Sequence, residues 1–208
     1  GINTSDVSDY HQYPVADNDT PMLAADRLEY TLGNGFCVHN IEIDVLKNIY
    51  DDIFVGKNEY MNDELCFGSI GHAKSFTKIS LQNSRLFVSD EDRFSMQYLA
   101  DIMKVAINSG VLAPEDLYRT ERQVIEKIKT DKTLSEIWKR YSEMSHIKFS
   151  SERISSCYCV NVSAKKRYID PLVQVGTRTV RLSKVDTDTR GQMQDFFNMS
   201  FDKWIYAV

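Results

Sequence analysis

Apolar residues recur at helical spacing through the first two thirds of this chain and alternate in the last third, and no other feature constrains its fold as much. Leu28 and Leu32, then Val45, Leu46 and Ile49, then Phe76 and Ile79 stand three or four apart, the period of one helix face. Phe94, Ile102 and Ala106 continue the pattern, as do Val124 and Ile128, and then Leu134, Ile137, Trp138 and Tyr141. Over residues 157–162, Cys157, Cys159 and Asn161 instead alternate with Tyr158, Val160 and Val162, which is strand spacing. The pattern predicts an α+β fold. A predominantly helical bundle should cover residues 1–150, followed by a small β-containing region over 151–208 packed on it.

Local signals predict the element ends. Asp19-Thr20-Pro21 offers a capping side chain and an early helical Pro, and Gly33-Asn34-Gly35 offers a stop, so a helix is expected between them. A second helix is expected over 41–52, with Val45, Leu46 and Ile49 inward. Two short apolar runs around polar residues 56–64 suggest a small hairpin near 53–67. Further helices are expected over 71–87, from Ser89-Asp90-Glu91-Asp92 to Ser109-Gly110, and from Pro114 and Thr120 onward. In the last third, residues 168–173, 177–183 and 204–206 read as strands and 191–197 as a helix.

Composition narrows the function classes. The chain has 208 residues, of which 42% are hydrophobic, enough to bury a core, so a disordered chain is excluded. Thirty acids against 25 bases give a net charge of −5, which argues against nucleic acid as the main partner, because phosphate neutralisation needs surplus Lys and Arg. The charges are segregated, with a net −5 over residues 1–29 and a net +5 over 154–184. No apolar run is long enough to span a bilayer, and the polar start is no secretory leader. Four cysteines do not make a disulfide framework in a chain of this length. They read as reduced thiols of a cytoplasmic protein.

The run Ala24-Ala25-Asp26-Arg27-Leu28-Glu29-Tyr30-Thr31-Leu32 carries the most chemistry. On a helix Asp26 and Tyr30 share a face. Apolar neighbours suggest a partly buried carboxylate, which would need a cation or a hydrogen-bond donor to stay ionised. Taken alone, an Asp in such a helix is more often a surface or hydrogen-bonded residue.

Residues 25–30, Ala-Asp-Arg-Leu-Glu-Tyr, resemble the closing motif of the HD superfamily of metal-dependent phosphohydrolases. The wider run 10–34, with Asp116-Leu117-Tyr118, resembles uncharacterised bacterial proteins that carry this domain. The resemblance implies a helical bundle that holds a divalent ion (Mn, Fe, Mg or Ni) with a His, a His-Asp pair and a distant Asp. Asp26 matches that distant Asp, and Tyr30 matches a position that approaches substrate phosphates. Gly33 and Asn34 stand where related nucleotide hydrolases carry an Arg-Asp pair, so the resemblance does not extend to deoxynucleoside triphosphate specificity. No His in the chain is followed by Asp, and the family places that pair upstream of the distant Asp. The chain, which opens on Gly1, therefore reads as the C-terminal part of such a protein. It is expected to hold no metal alone and to be inactive without its N-terminal segment. A naturally non-catalytic relative would show the same pattern.

Lys165-Lys166-Arg167 forms a basic run that could reach substrate phosphates, or simply a solvated strand edge, and Arg178 and Arg181 extend the basic patch. Cys157-x-Cys159 and Cys37-x-His39 lack the paired spacing of a structural zinc site. Asp17-Asn18-Asp19 lacks the distal Glu of a calcium loop and reads as turn and cap. His11 reads as a hydrogen-bonded loop residue. Two functions follow. The first is a phosphohydrolase acting on a nucleotide or another phosphate ester. The second is a non-catalytic binding or oligomerisation module, whose helix faces around 24–32 and 94–106 meet a partner such as a second copy.

Overall fold

The computed structural model describes all 208 residues. In chain order the elements are α1 (Thr4–Val7), α2 (Ala25–Cys37), α3 (Ile43–Asp51), β1 (Ile53–Lys57), β2 (Asp63–Phe67), α4 (Ile70–Leu86), α5 (Asp90–Asn108), α6 (Glu121–Ile128), α7 (Lys132–Ser142), β3 (Ile147–Ser150), β4 (Cys159–Val160), β5 (Leu172–Val175), β6 (Arg178–Arg181), α8 (Leu182–Val185), α9 (Thr187–Asn198) and β7 (Trp204–Ala207). The fold is α+β, with most of the helix before residue 145 and most of the strand after it. No helix is long and apolar enough to cross a membrane.

The chain forms two compact units that do not follow the 1–150 and 151–208 division. One comprises Gly1–Leu86 with Lys166–Met199, the other Phe87–Lys165 with Ser200–Val208. Strand pairing explains the interleaving. The 53–67 hairpin is half of a four-stranded sheet in the order β1-β2-β5-β6. In it β2 runs parallel to β5, Cys66 opposite Leu172, while both outer pairs are antiparallel. The late strands β5 and β6 therefore belong with the early helices. Leu28 from α2, Leu46 and Ile49 from α3, Phe67 from β2, and Phe76 and Ile79 from α4 fill the core of this unit.

In the second unit β7 lies between β3 and β4 in an antiparallel sheet. Phe94, Tyr98, Ile102 and Ala106 of α5 are buried with Ile128, Leu134, Val160 and Ile205. The apolar face of α5 is thus covered within its own unit, which corrects the expectation that it meets a partner. Tyr98 stacks on Tyr158 at 4.0 Å, and Tyr158 donates to Asp101 at 2.8 Å. Burial first, and then that hydrogen bond, raise the Tyr158 phenol above its ordinary range.

Several boundaries differ from the sequence signals. α2 begins at Ala25 rather than near Asp19 and continues through Gly33-Asn34-Gly35 to Cys37. The later start follows from the Asp170 amide, which donates to Pro21 O at 2.9 Å and engages the preceding segment elsewhere. Gly35 is used for close approach rather than for stopping. A Cβ there would lie 3.1 Å from Leu46 Cδ2 and 3.4 Å from Ile79 Cγ2, so packing of α2 on α3 and α4 overrides the weak intrinsic preference of Gly. Val45 is exposed rather than inward. The strands over 157–162 and 168–173 shrink to β4 and to the first residues of β5.

Candidate functional site

The start of α2 is fixed on every side except one. Its first amides have no side-chain cap. Instead Ala25 N donates to Val15 O at 2.8 Å and Asp26 N to Ala16 O at 3.2 Å, which satisfies groups that a helix N-terminus leaves open. Asn18 is buried, and its amide donates to Pro14 O at 2.8 Å and to Leu23 O at 3.1 Å. Arg27 donates to both the side chain and the carbonyl of Asn18, and to Met22 O at 3.2 Å. Asp17-Asn18-Asp19 is thus the turn that its sequence suggests, but none of its side chains caps α2.

Asp26 stands in this fixed frame with its carboxylate exposed and without a hydrogen-bond or ion-pair partner. The expected partial burial is not found. Leu23, Ala24 and Leu28 turn into the core, and the same helical geometry turns Asp26 outward. Tyr30, one turn on, is half-buried. Burial is the main cause that raises its phenol above the ordinary value; Arg27 and Arg167 oppose the rise and Asp26 adds to it.

Of the basic run, Arg167 alone is brought to this surface. It is exposed, and its charge is felt at the Tyr30 hydroxyl. Two hydrogen bonds lay its segment beside the approach to α2: Thr20 Oγ1 donates to Tyr168 O at 2.6 Å and Asp170 N to Pro21 O at 2.9 Å. Lys166 is engaged elsewhere, its ammonium donating to Phe197 O and Met199 O at 2.5 Å each, the carbonyl-rich end of α9. Lys165 is exposed and belongs to the second unit.

Arg181, expected in the surface basic patch, is an interior residue. Its guanidinium pairs with the fully buried Glu64 at 2.5 Å and with Glu59 at 2.9 Å. Glu64 also accepts from Leu23 N at 3.1 Å and from Asn58 Nδ2 at 3.2 Å. Arg181 further donates to Asp170 O at 3.0 Å, and Asp170 accepts from Ser183 Oγ at 2.6 Å. Sequence reasoning missed Glu64, which reads as the end of the polar 56–64 segment; the available signal was its place directly before the apolar run Leu65-Cys66-Phe67, with which it enters the buried part of β2.

The donor set does not complete a metal site. No group of three or more His, Cys, Asp and Glu side chains is placed to hold an ion, so Asp26 would be one ligand without companions from this chain. His39 contacts Asn83 at 2.7 Å, Cys159 Sγ donates to Ile154 O at 3.3 Å, and all four thiols are free. His11 is exposed and lies 2.8 Å from Asp9 and 3.4 Å from Asp19. On a neighbouring side of α2 runs a groove of about 790 Å³, lined by Ala25, Leu28, Glu29, Leu32, Tyr50 and Leu65 among others. Asp26 is not part of it.

No protein-family model matches the chain, and no solved structure matches it. The uncharacterised protein YdhJ of Bacillus subtilis is 23% identical over 192 residues, 91% of this chain. The chain spans 57% of the length of that relative.

Proposed function

We propose that this chain is the C-terminal part of an HD-type phosphohydrolase that acts on a nucleotide or another phosphate ester. In this reading Asp26 supplies one carboxylate to a divalent-metal site whose other ligands lie outside these 208 residues. The observation that carries the reading is the contrast at the start of α2. Arg27, Asn18 and Leu23 are all tied down, while the Asp26 carboxylate between them is left unpartnered on the surface. A rigid helix presenting one free carboxylate suits a ligand that must be held in place. Tyr30 and Arg167 suit phosphate. The raised phenol keeps its proton and so has a hydrogen bond to offer a phosphate oxygen, and the guanidinium offers a fork of donors that matches phosphate oxygens. The partial coverage of YdhJ is consistent with a longer protein that brings the remaining ligands.

The test is metal-dependent hydrolysis of a panel of phosphate esters by the protein as its gene encodes it, beside its Asp26→Ala variant. The variant is expected to lose at least about 100-fold in kcat/KM with an unchanged melting temperature, since loss of a metal ligand removes transition-state stabilisation. Equal activity in both would remove Asp26 from the mechanism.

The groove along α2 favours a second reading, a binding module without chemistry. It is apolar apart from Glu29 and Asp51, and its volume falls in the range of small-ligand and peptide-anchoring sites. This reading gains if the encoded protein shows no metal-dependent turnover and a Leu32→Glu variant loses self-association.

A further inference from the structure

The edge strands of the four-stranded sheet, β1 and β6, are not neighbours in its hydrogen-bonded order. They nevertheless meet: Thr179 Oγ1 donates to Lys57 O at 2.7 Å. Gly56 permits the approach, because a Cβ there would lie 2.7 Å from Cys66 Sγ and 3.3 Å from Thr179 Cγ2. The sheet is therefore curled toward closure. A groove of about 440 Å³ opens where the turn after β1 faces β6, a size within the span of about 300–1,000 Å³ typical of small-molecule sites.

Four cations, Lys57, Arg178, Arg181 and Lys184, line this groove against the single carboxylate of Glu59. Two of them have partners. Lys57 pairs with Asp63 at 2.7 Å, and Arg181 is held by Glu59 and Glu64. Arg178 and Lys184 are exposed and have no ion-pair or hydrogen-bond partner. Val180, two residues from Arg178 on the same face of β6, offers half-buried apolar surface there, whereas Leu172 is buried and pairs with Arg181 on the other face. Arg181 is shared by two carboxylates, Glu59 and Glu64, and Lys184 also acts on Glu59, so the groove and its direct partners set four cations against three carboxylates, leaving one surplus positive charge at the Arg178 and Lys184 end. Low-dielectric walls concentrate such a field and favour a multiply charged anion.

We propose that this groove binds a small organic phosphate. Its anionic group lies between Arg178 and Lys184, the planar guanidinium taking two oxygens, and its organic part rests on Val180. The site shares no residue with the Asp26 surface and needs no metal, so it stands or falls apart from the phosphohydrolase reading.

Calorimetric titration of the 208-residue chain in the presence of a chelator tests it, with AMP and inorganic pyrophosphate as separate probes. AMP is expected to bind with a sub-millimolar Kd, and the double variant Arg178→Ser, Lys184→Ser to bind it at least about tenfold more weakly. Both residues are exposed, so the melting temperature of the double variant should match that of the parent. Asp26→Ala should bind AMP as the parent does. No binding of AMP up to about 5 mM, or an undiminished affinity in the double variant, would overturn the site. Pyrophosphate binding tighter than AMP would overturn the organic part of the proposal, since charge alone would then account for the affinity.

Discussion

Two polar constellations in the same compact unit differ in one respect that decides what each can do. Around Arg181, every donor of the guanidinium and both oxygens of Glu64 are engaged, by the buried Leu23, Asn58 and Asp170 and by the exposed Glu59. At the start of α2, the backbone and Arg27 are as firmly held, yet Asp26 is open to solvent with nothing bound to it. A closed network has no valence left for a ligand, so its role is to fix strands and the approach to α2. An open carboxylate on a fixed helix adds little to folding and keeps its capacity for an external cation. The link between them is Glu64 itself, which accepts the Leu23 amide just before α2.

The largest expected effect breaks the closed side. Glu64→Ala should cost about 3–5 kcal/mol in urea unfolding, because it leaves Arg181 buried with only the half-exposed Glu59 as counter-charge. Asp26→Ala should stay within about 0.5 kcal/mol, as surface substitutions do. Equal costs for the two would erase the contrast. A smaller effect is expected at Asp186, the N-cap of α9, which accepts from Thr189 N at 2.9 Å and from Lys74 at 2.8 Å. Lys74 first, and then the Thr189 hydrogen bonds, hold its carboxyl down at about 2, below the ordinary 3.8. A depressed carboxyl contributes stability that is complete above the ordinary value and lost as pH falls through the depressed one. Asp186→Ala should therefore cost about 1 kcal/mol at neutral pH, and the gap to the parent should close between about pH 4 and pH 2.

How much of this was legible follows the range of the interactions. α5 could be read closely, because its cap and its stop are local: Ser89 Oγ accepts from Asp92 N at 3.1 Å, and Gly110 follows at φ +74°. The end of α2 could not, because Gly35 answers to Leu46 and Ile79 rather than to its own helix. Asp26 and Tyr30 could be paired from their four-residue spacing alone. Their exposure and the arrival of Arg167 could not, since hydrogen bonds between segments about 150 residues apart set the latter. Arg181 was misplaced for the same reason. Its partner lies 117 positions away, and a short strand with Arg at each end does not reveal which of them turns inward.

The open side can be sharpened by titration. Arg167→Ala should raise the Tyr30 phenol further, because removing a cation removes an influence that favours the phenolate. Tyrosine ring carbon shifts followed by NMR would read it, and an unmoved Tyr30 would separate Arg167 from this surface.

The smallest effect is expected at His11, where paired groups are wholly exposed. Hydrogen bonds to Asp9 and then to Asp19 raise its imidazolium above 6.5. Asp9→Asn should bring the titration of His11, followed through its ring protons, back toward 6.5. The sign is opposite to that at Asp186: a raised imidazolium favours the folded state below its ordinary value, and the gain disappears as pH climbs through the raised one. Water and salt screen a pair this exposed, so the titration should move while the unfolding midpoint does not. A midpoint that fell with the substitution would mean that the 9–19 segment, which holds Asn18 against Arg27, depends on this surface pair, and the frame around Asp26 would then be less fixed than its buried hydrogen bonds imply.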